Sequence, residues 1–293
     1  MTFLQLLPTL LVIALALIMF GLGLSLTLAD FRRVLGHPKA VLIALLLQAV
    51  ALPAACYAIV VAFGLPPVFA IGMMLLAASP GGVSANLFSH LFGGNVAMNI
   101  SLTAVNTVLS IVTLPLITNW AIAAFADTGQ VVPLQFAKVA EVVAVVLLPV
   151  AAGMAVAARA PAFAARMEKP FKIFSALMLA AFALIAIVKE WSSLAGSFAT
   201  LGPAVVLFNL LSLLSGYYLS RAAGLDKPLA TAISFEIGVH SATLAIFVAL
   251  SVLGNLQLAV PAALYSVSMY LTATLFGLAI SRQGRASSLP AAP

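Results

Sequence analysis

Residues 69–92 read FAIGMMLLAASPGGVSANLFSHLF, an apolar run interrupted near its middle by Ser79-Pro80-Gly81-Gly82. About 20 helical residues, at 1.5 Å each, cross the roughly 30 Å of bilayer hydrocarbon. Proline removes a backbone donor and clashes with the preceding turn, and paired glycines admit non-helical torsions. Backbone groups freed in hydrocarbon cost several kcal/mol each unless a cavity, an ion or a side chain takes them up. A break facing lipid is therefore disfavoured. Between a plain structural kink and a site, the adjoining Ser84 and Asn86 favour the site.

The rest of the chain resembles this stretch in composition. Of 293 residues, 64% are hydrophobic and 7% charged, against roughly 45–50% and about 25% in soluble domains. Too few polar groups exist to cover a water-facing surface, so a soluble globule is excluded. The net charge of +6 comes from basic residues scattered between apolar runs, which make no phosphate-tracking stripe. The lone Cys56 excludes an internal disulfide framework. Nine runs have the length of a span: 3–26, 40–63, 69–92, 96–126, 134–158, 173–188, 201–220, 229–253 and 259–280. They do not alternate polar and apolar residues as lipid-facing barrel strands do. The first has no basic leader and no small-residue cleavage site, so it reads as a span rather than a signal peptide. The expected fold is all-α: a polytopic membrane protein with nine transmembrane helices.

Charge orients these spans. Connections after odd-numbered runs hold Arg32, Arg33, Lys39, Arg159, Arg166, Lys169, Lys172, Arg221, Lys227, Arg282 and Arg285, whereas the other side holds only Lys138 and Lys189. Short basic loops stay in the cytoplasm. The amino terminus is thus expected outside and the tail, 281–293, inside, in a multi-pass protein of the cell inner membrane.

One acidic residue has no such place. Asp30, Asp127, Glu168, Glu190 and Asp226 fall in expected loops, and Glu141 lies near a helix end, one turn from Lys138. Glu236, in Phe235-Glu236-Ile237-Gly238-Val239-His240-Ser241, is deep within the eighth run. A carboxylate there costs at least about 2.5–3.5 kcal/mol, so it turns to the protein interior and needs a partner. No span core holds a basic residue; a bound cation must compensate, or the group holds a proton. With nine spans, the first four match the last four in opposite orientation, and the third pairs with the eighth. Interrupted helices at corresponding positions of opposed halves point to a transporter site at an inverted-repeat interface.

At these residues the chain resembles the bile acid:sodium symporter family, in its nine-helix form. The likeness runs from Met19-Phe20-Gly21-Leu22-Gly23-Leu24 and Asp30-Phe31 through Gln48, the proline-glycine segment and Gly94-Asn95-Val96-Ala97 to the Glu-x-Gly of the eighth run. It implies a core of 40–126 and 201–280, a panel of 3–26 and 134–188, and third and eighth helices that cross at unwound centres. It further implies one or two sodium ions behind that crossing. Carried over by position, the first would use Asn86, Asn99, Thr103 and Glu236, with the backbone around Ala85. The second would use Gln48, Glu236, His240 and the carbonyls of Ile237 and Val239. Amides, hydroxyls, carbonyls and a carboxylate are the ligands a hard cation takes. Ser84, Asn86, His240, Ser241 and Tyr265 are the candidate contacts for a small organic anion, bile-acid-like or a smaller carboxylate, with core packing the competing role for Tyr265.

Departures from the family pattern are informative. Ala85 stands where a serine is frequent and Asn99 where a serine is usual. His240 and Ser241 replace a glutamine-asparagine pair, and Met269 and Tyr270 occupy the place of a polar His-Asn pair. Neutral imidazole is a poor sodium ligand. Either His240 couples a proton, or it is a neutral histidine bonded to Glu236 or a crossover carbonyl. Sodium-coupled uptake of an organic anion is the leading expectation, and proton-coupled or uncoupled transport through Glu236 and His240 the alternative. The remaining histidines, His37 and His90, sit in separate segments with no H-x-x-x-H pair, which speaks against an intramembrane metalloenzyme. One carboxylate does not make the ring of a selective channel.

Overall fold

A computed structural model describes residues 3–126 and 136–286. The tail beyond 286, Asp127, and the Lys138 and Glu141 side chains lie outside the described residues. Among those described, the structure is helical apart from connections and one isolated antiparallel bridge. In order, the helices are α1 Phe3–Leu24, α2 Leu28–Arg33, α3 Pro38–Leu46, α4 Leu52–Ala62, α5 Pro67–Ala78, α6 Val83–Leu91 and α7 Val96–Phe125. Then follow α8 Phe136–Arg159, α9 Pro161–Lys189, α10 Trp191–Ala222, α11 Lys227–Gly238, α12 Ala242–Phe247 and α13 Val260–Ala286.

Local chemistry sets most of these boundaries. Prolines open α3, α5 and α9 in the first turn, where the missing N–H has no helical acceptor to lose. The side chains of Asn95 and Asp226 accept from the N–H groups of Met98 and Leu229, capping α7 and α11. Thr27 donates its N–H to Asp30 at 2.7 Å, and Arg33 reaches the other carboxylate oxygen of Asp30 at 2.5 Å. This knot holds α2 at 67° to α1. A π-helical turn, Leu47–Ala51, links α3 to α4. It precedes Pro53, which has no N–H for a regular i−4 bond, and it carries the buried Gln48.

Four helices are, by themselves, long and apolar enough to cross a bilayer among the described residues: Pro38–Ala62, Val96–Phe125, Ala195–Ala222 and Gln257–Arg282. Counting the bent pair Val12–Leu24 and Leu28–Gly36 as one adds a fifth. Exposed Leu42, Val50, Val61, Leu116, Leu271 and Leu275 cover outer faces with the apolar surface that lipid requires. Two expected loops turn out to be largely helical. Residues 161–172 form the start of α9, and 191–200 the start of α10. In 161–172, charged residues end a span in hydrocarbon but do not end a helix, because Arg, Lys and Ala are all good helix formers. Asp30, likewise expected in a loop, is a buried residue of α2.

Helix α1 lies along α8 and α9. Gly23 abuts the Val150 carbonyl and Gly153 that of Phe20, closer than any side chain would allow. At the centre of the molecule, α5, α11 and α12 are buried over nearly their whole lengths, with α7, α10 and α13 packed around them. The site lies there.

Candidate functional site

Helix α5 stops at Ala78 because Ser79 is extended (ψ 144°) and Pro80 follows. Helix α11 stops at Gly238, and α12 resumes at Ala242. The two breaks meet. Gly82 donates its N–H to the Val239 carbonyl at 2.7 Å, and Ser241 donates to the Pro80 carbonyl at 2.8 Å. Gly81 and His240 are bridged antiparallel between them. Each interruption thus satisfies donors and acceptors of the other, which unwound backbone in an apolar interior requires.

Side chains from flanking helices take up the remaining carbonyls. Gln48 donates through Nε2 to Ala77 (3.2 Å) and Ser79 (2.9 Å). His240 Nδ1 also bonds the Ser79 carbonyl at 3.0 Å. Because a carbonyl only accepts, Nδ1 carries the hydrogen. On the other break, the Gly238 carbonyl accepts from Asn209 Nδ2 and from the Tyr265 hydroxyl, both at 2.7 Å. Thr272 donates in turn to Asn209 Oδ1. Replacing Asn209 by Ala strips the buried Gly238 carbonyl of one of its two donors, while Thr272 keeps the Ser268 and Met269 carbonyls as acceptors, a loss of about 1–3 kcal/mol. It should appear as a lower unfolding temperature of the purified protein in detergent.

Glu236 is fully buried one turn before its break. Thr103 donates to Oε2 at 2.6 Å and Asn106 Nδ2 to Oε1 at 3.0 Å. Both carboxylate oxygens therefore face α7. Gly81 backs onto the carboxyl from behind, so close that a β-carbon there would overlap Glu236. Among the described residues the one ion pair joins Arg33 to Asp30; no basic side chain neutralises Glu236. Asn99, one turn before Thr103, is fully buried and donates Nδ2 to the Ala232 carbonyl at 2.7 Å. The amide oxygens of Asn86, Asn99 and Asn106 are all buried without a hydrogen-bond partner. Native interiors seldom leave such acceptors orphaned, and an unplaced ion is a standard reason when they do. Among the described residues no three His, Cys, Asp or Glu side chains gather, so the donor set is that of a hard cation rather than a transition metal.

In front of the breaks lies a cavity of about 240 Å³. Pro80, Gly82, Ser84, His240 and Ser241 form one wall, and Ile18, Met19 and Leu22 of α1 with Val146 of α8 form the opposite one. The Ser84 and Tyr270 hydroxyls bond each other at 3.0 Å at its edge.

The expected residues therefore sort into three groups. Thr103 and Glu236 are directly bonded, and Asn99 lies on the same face of α7. Gln48, His240 and Val239 gather on the Ser79 side of the crossing, and Ile237 is buried between the two groups in sequence. Ser84 and Ser241 line the cavity, whereas Asn86 and Tyr265 are absent from its walls; Tyr265 is fully buried beneath the Gly238 carbonyl. Sequence reasoning missed Asn106 as a partner of Glu236 and Tyr270 as a cavity residue. Asn106 follows Thr103 by three positions, a same-face helical spacing, but spacing alone does not say what that face meets. Tyr270 carried no signal beyond its departure from the family pattern.

These features define a class: an all-helical, multi-pass membrane protein whose buried polar centre is the junction of two interrupted helices. The comparisons narrow it. The profile of the Sodium Bile acid symporter family matches residues 12–197, and the chain belongs to that family. It is 29% identical over 89% of its length to the probable sodium/metabolite cotransporter BASS1 of Arabidopsis thaliana chloroplasts, covering 64% of that protein. To the probable chloroplast sodium/metabolite cotransporter BASS3 of Oryza sativa subsp. japonica it is 31% identical over 92% of its length, covering 62%. To the uncharacterized sodium-dependent transporter YocS of Bacillus subtilis it is 27% identical over 87%, covering 78%. The chain thus spans a little under two thirds of the chloroplast proteins. The family and these relatives are transporters, not enzymes.

Proposed function

We propose that this protein is a secondary active transporter that couples the inward movement of sodium to uptake of a small organic anion by alternating access. The observation that carries this reading is Glu236: a buried carboxylate with no basic partner among the described residues, beside the orphaned amide oxygens of Asn99 and Asn106 on α7. A sodium ion held by Glu236, Thr103, Asn99 and Asn86, with Asn106 beside them, would supply the missing charge. It would also tie α11 to α6 and α7, stiffening the junction from which the cavity wall is built. Coupling follows if the substrate binds better to that stiffened state.

The substrate site in this reading is the cavity, with Ser84 and Ser241 as direct polar contacts and His240 in its wall. Asn86 and Tyr265 act behind it, Tyr265 by holding the Gly238 carbonyl. Its size and apolar α1–α8 wall suit a small carboxylate with an apolar body better than a bulky sterol. The panel is 3–26 with 134–188, and the core 40–126 with 201–280. Rocking of one against the other would expose the cavity to either side. Nine spans, arranged as an inverted repeat with the amino terminus outside and the tail in the cytoplasm of the inner membrane, complete the proposal. The reciprocal bonds between the two breaks are the pairing such a repeat would produce.

The test is uptake into proteoliposomes of a panel of labelled carboxylates under separately imposed gradients. A sodium gradient should drive accumulation of at least one of them, and a pH gradient without sodium should not. Accumulation driven by protons alone would transfer the coupling to Glu236 and His240 as proton carriers.

A further inference from the structure

Hydroxyls on α7 fold back onto their own helix: those of Ser101, Thr103, Thr107 and Ser110 each donate to a carbonyl three or four residues earlier. Two hydroxyls on the facing helices do not. Ser89 of α6 and Thr231 of α11 are fully buried, and their oxygens have no hydrogen-bond partner. Both stand against Gly94. A β-carbon built there would overlap the Ser89 hydroxyl and come within 3.1 Å of the Thr231 methyl. Buried hydroxyls are so seldom left unbonded that a water or an ion is their usual partner.

These two groups stand at one end of a longer file. On α7, Asn95, Asn99 and Thr103 follow at four-residue spacing, about 6 Å per step, and Thr103 holds Glu236. Asn99 leaves its amide oxygen unbonded while its nitrogen bonds the carbonyl of Ala232, the neighbour of Thr231. At the far end the three helices converge on one turn. Helix α6 ends at Leu91, Gly94 donates its N–H to the Ser89 carbonyl at 2.7 Å, and Asn95 donates to the Pro228 carbonyl of α11 at 2.9 Å. Gly93 is exposed and Asn95 half-buried, so the turn meets the surface. Ser89, Thr231, Asn99, Thr103 and Glu236 are all absent from the walls of the cavity in front of the breaks. Orphaned acceptors also occur at Gln48 and His240; what distinguishes this group is its order, from a surface turn inward to the carboxylate.

We infer that α6, α7 and α11 enclose a cation passage between Glu236 and the Gly94–Asn95 turn, separate from the cavity that takes the anion. Neutral oxygens along the way and a carboxylate at the inner end suit a hard cation. The inference rests on the sodium-coupled reading above and adds where the ion travels. In the orientation proposed there, the turn faces the cytoplasm, so the passage is the route of ion release.

Silver, a bare monovalent cation that captures thiols, tests the passage. Ser89→Cys replaces an unbonded hydroxyl by a thiol of similar shape, made in a Cys56→Ala chain so that the new thiol is the sole one. Thr231→Cys serves in its place if that variant does not fold. Each purified variant is exposed to silver nitrate in sodium nitrate or in choline nitrate of equal concentration, and the remaining thiol is counted after denaturation. Silver is expected to capture the thiol at position 89, and saturating sodium to slow the capture ~10-fold or more by competition. Ser84→Cys, on the cavity wall, should react at the same rate in both salts. Failure of capture in the folded variants, or capture indifferent to sodium, would overturn the passage. Equal sodium protection at positions 84 and 89 would merge it with the cavity and overturn its separateness. The coupling reading is checked apart from this, by the wild-type unfolding temperature: no rise with sodium would overturn that reading, whatever silver does.

Discussion

Replacing Glu236 by Gln is expected to abolish sodium-dependent uptake while leaving a folded protein. The substitution keeps the shape of the side chain and one carbonyl oxygen for Thr103 or Asn106, but removes the single negative charge of the buried cluster. A cation set among neutral amides and hydroxyls has lost its counter-charge. Breaking a buried charge pair from one side costs about 3–5 kcal/mol, which is ~100-fold or more in sodium affinity. The measurement is twofold: uptake in a sodium gradient, and the rise in unfolding temperature on adding sodium, which in the wild type reports binding by mass action. Both should vanish together. Wild-type uptake from Glu236→Gln proteoliposomes would remove the carboxylate from the mechanism.

Gly81→Ala tests the junction instead of the ion. A β-carbon at position 81 would lie 2.6 Å from the Glu236 carbonyl oxygen and closer still to its carboxyl group. Neither neighbour is a flexible side-chain tip. The carbonyl is backbone, and the carboxylate is pinned by Thr103 and Asn106. The added methyl must push the two breaks apart or swing the carboxylate out of its hydrogen bonds. Overpacking of this kind costs about 1–3 kcal/mol in stability. Its effect on transport should be larger, a loss of ~10-fold or more, because the same displacement disturbs the cation ligands and the cavity wall at once. Gly196 serves as the control. No atom lies within 4 Å of a β-carbon built there, and alanine in a helix is favoured by up to about 1 kcal/mol, so Gly196→Ala should transport normally. Equal behaviour of the two variants would mean that the breaks do not press on Glu236 as described.

Much of this organisation was legible in the chain. The break at Ser79-Pro80-Gly81-Gly82 follows from proline and glycine torsions alone, and the cost of a lone carboxylate in hydrocarbon singled out Glu236. The extent of α9 and α10 was less legible, since hydropathy marks where lipid ends, not where a helix does. The partners of Glu236 were only half visible: Thr103 and Asn106 share a face of α7 with Asn99, but a stripe does not say what it turns toward. Nor does the sequence distinguish Tyr265, beneath the Gly238 carbonyl, from Tyr270, at the cavity, five residues further along the same helix.

The sequence by itself determined the solvent, the points at which two helices must open and the one charge that needs an answer. These are properties of single residues and short windows, set by transfer free energies and backbone torsions that act wherever the residue goes. The tertiary structure alone decided which groups answer them: that Gly82 and Ser241 close each break onto the other, that Glu236 faces α7, and that Gln48 and His240 share the Ser79 carbonyl. Hydrogen bonds form only within about 3 Å, and groups 31 to 161 residues apart come that close only through the rotation and register of packed helices. No local rule of sequence encodes that.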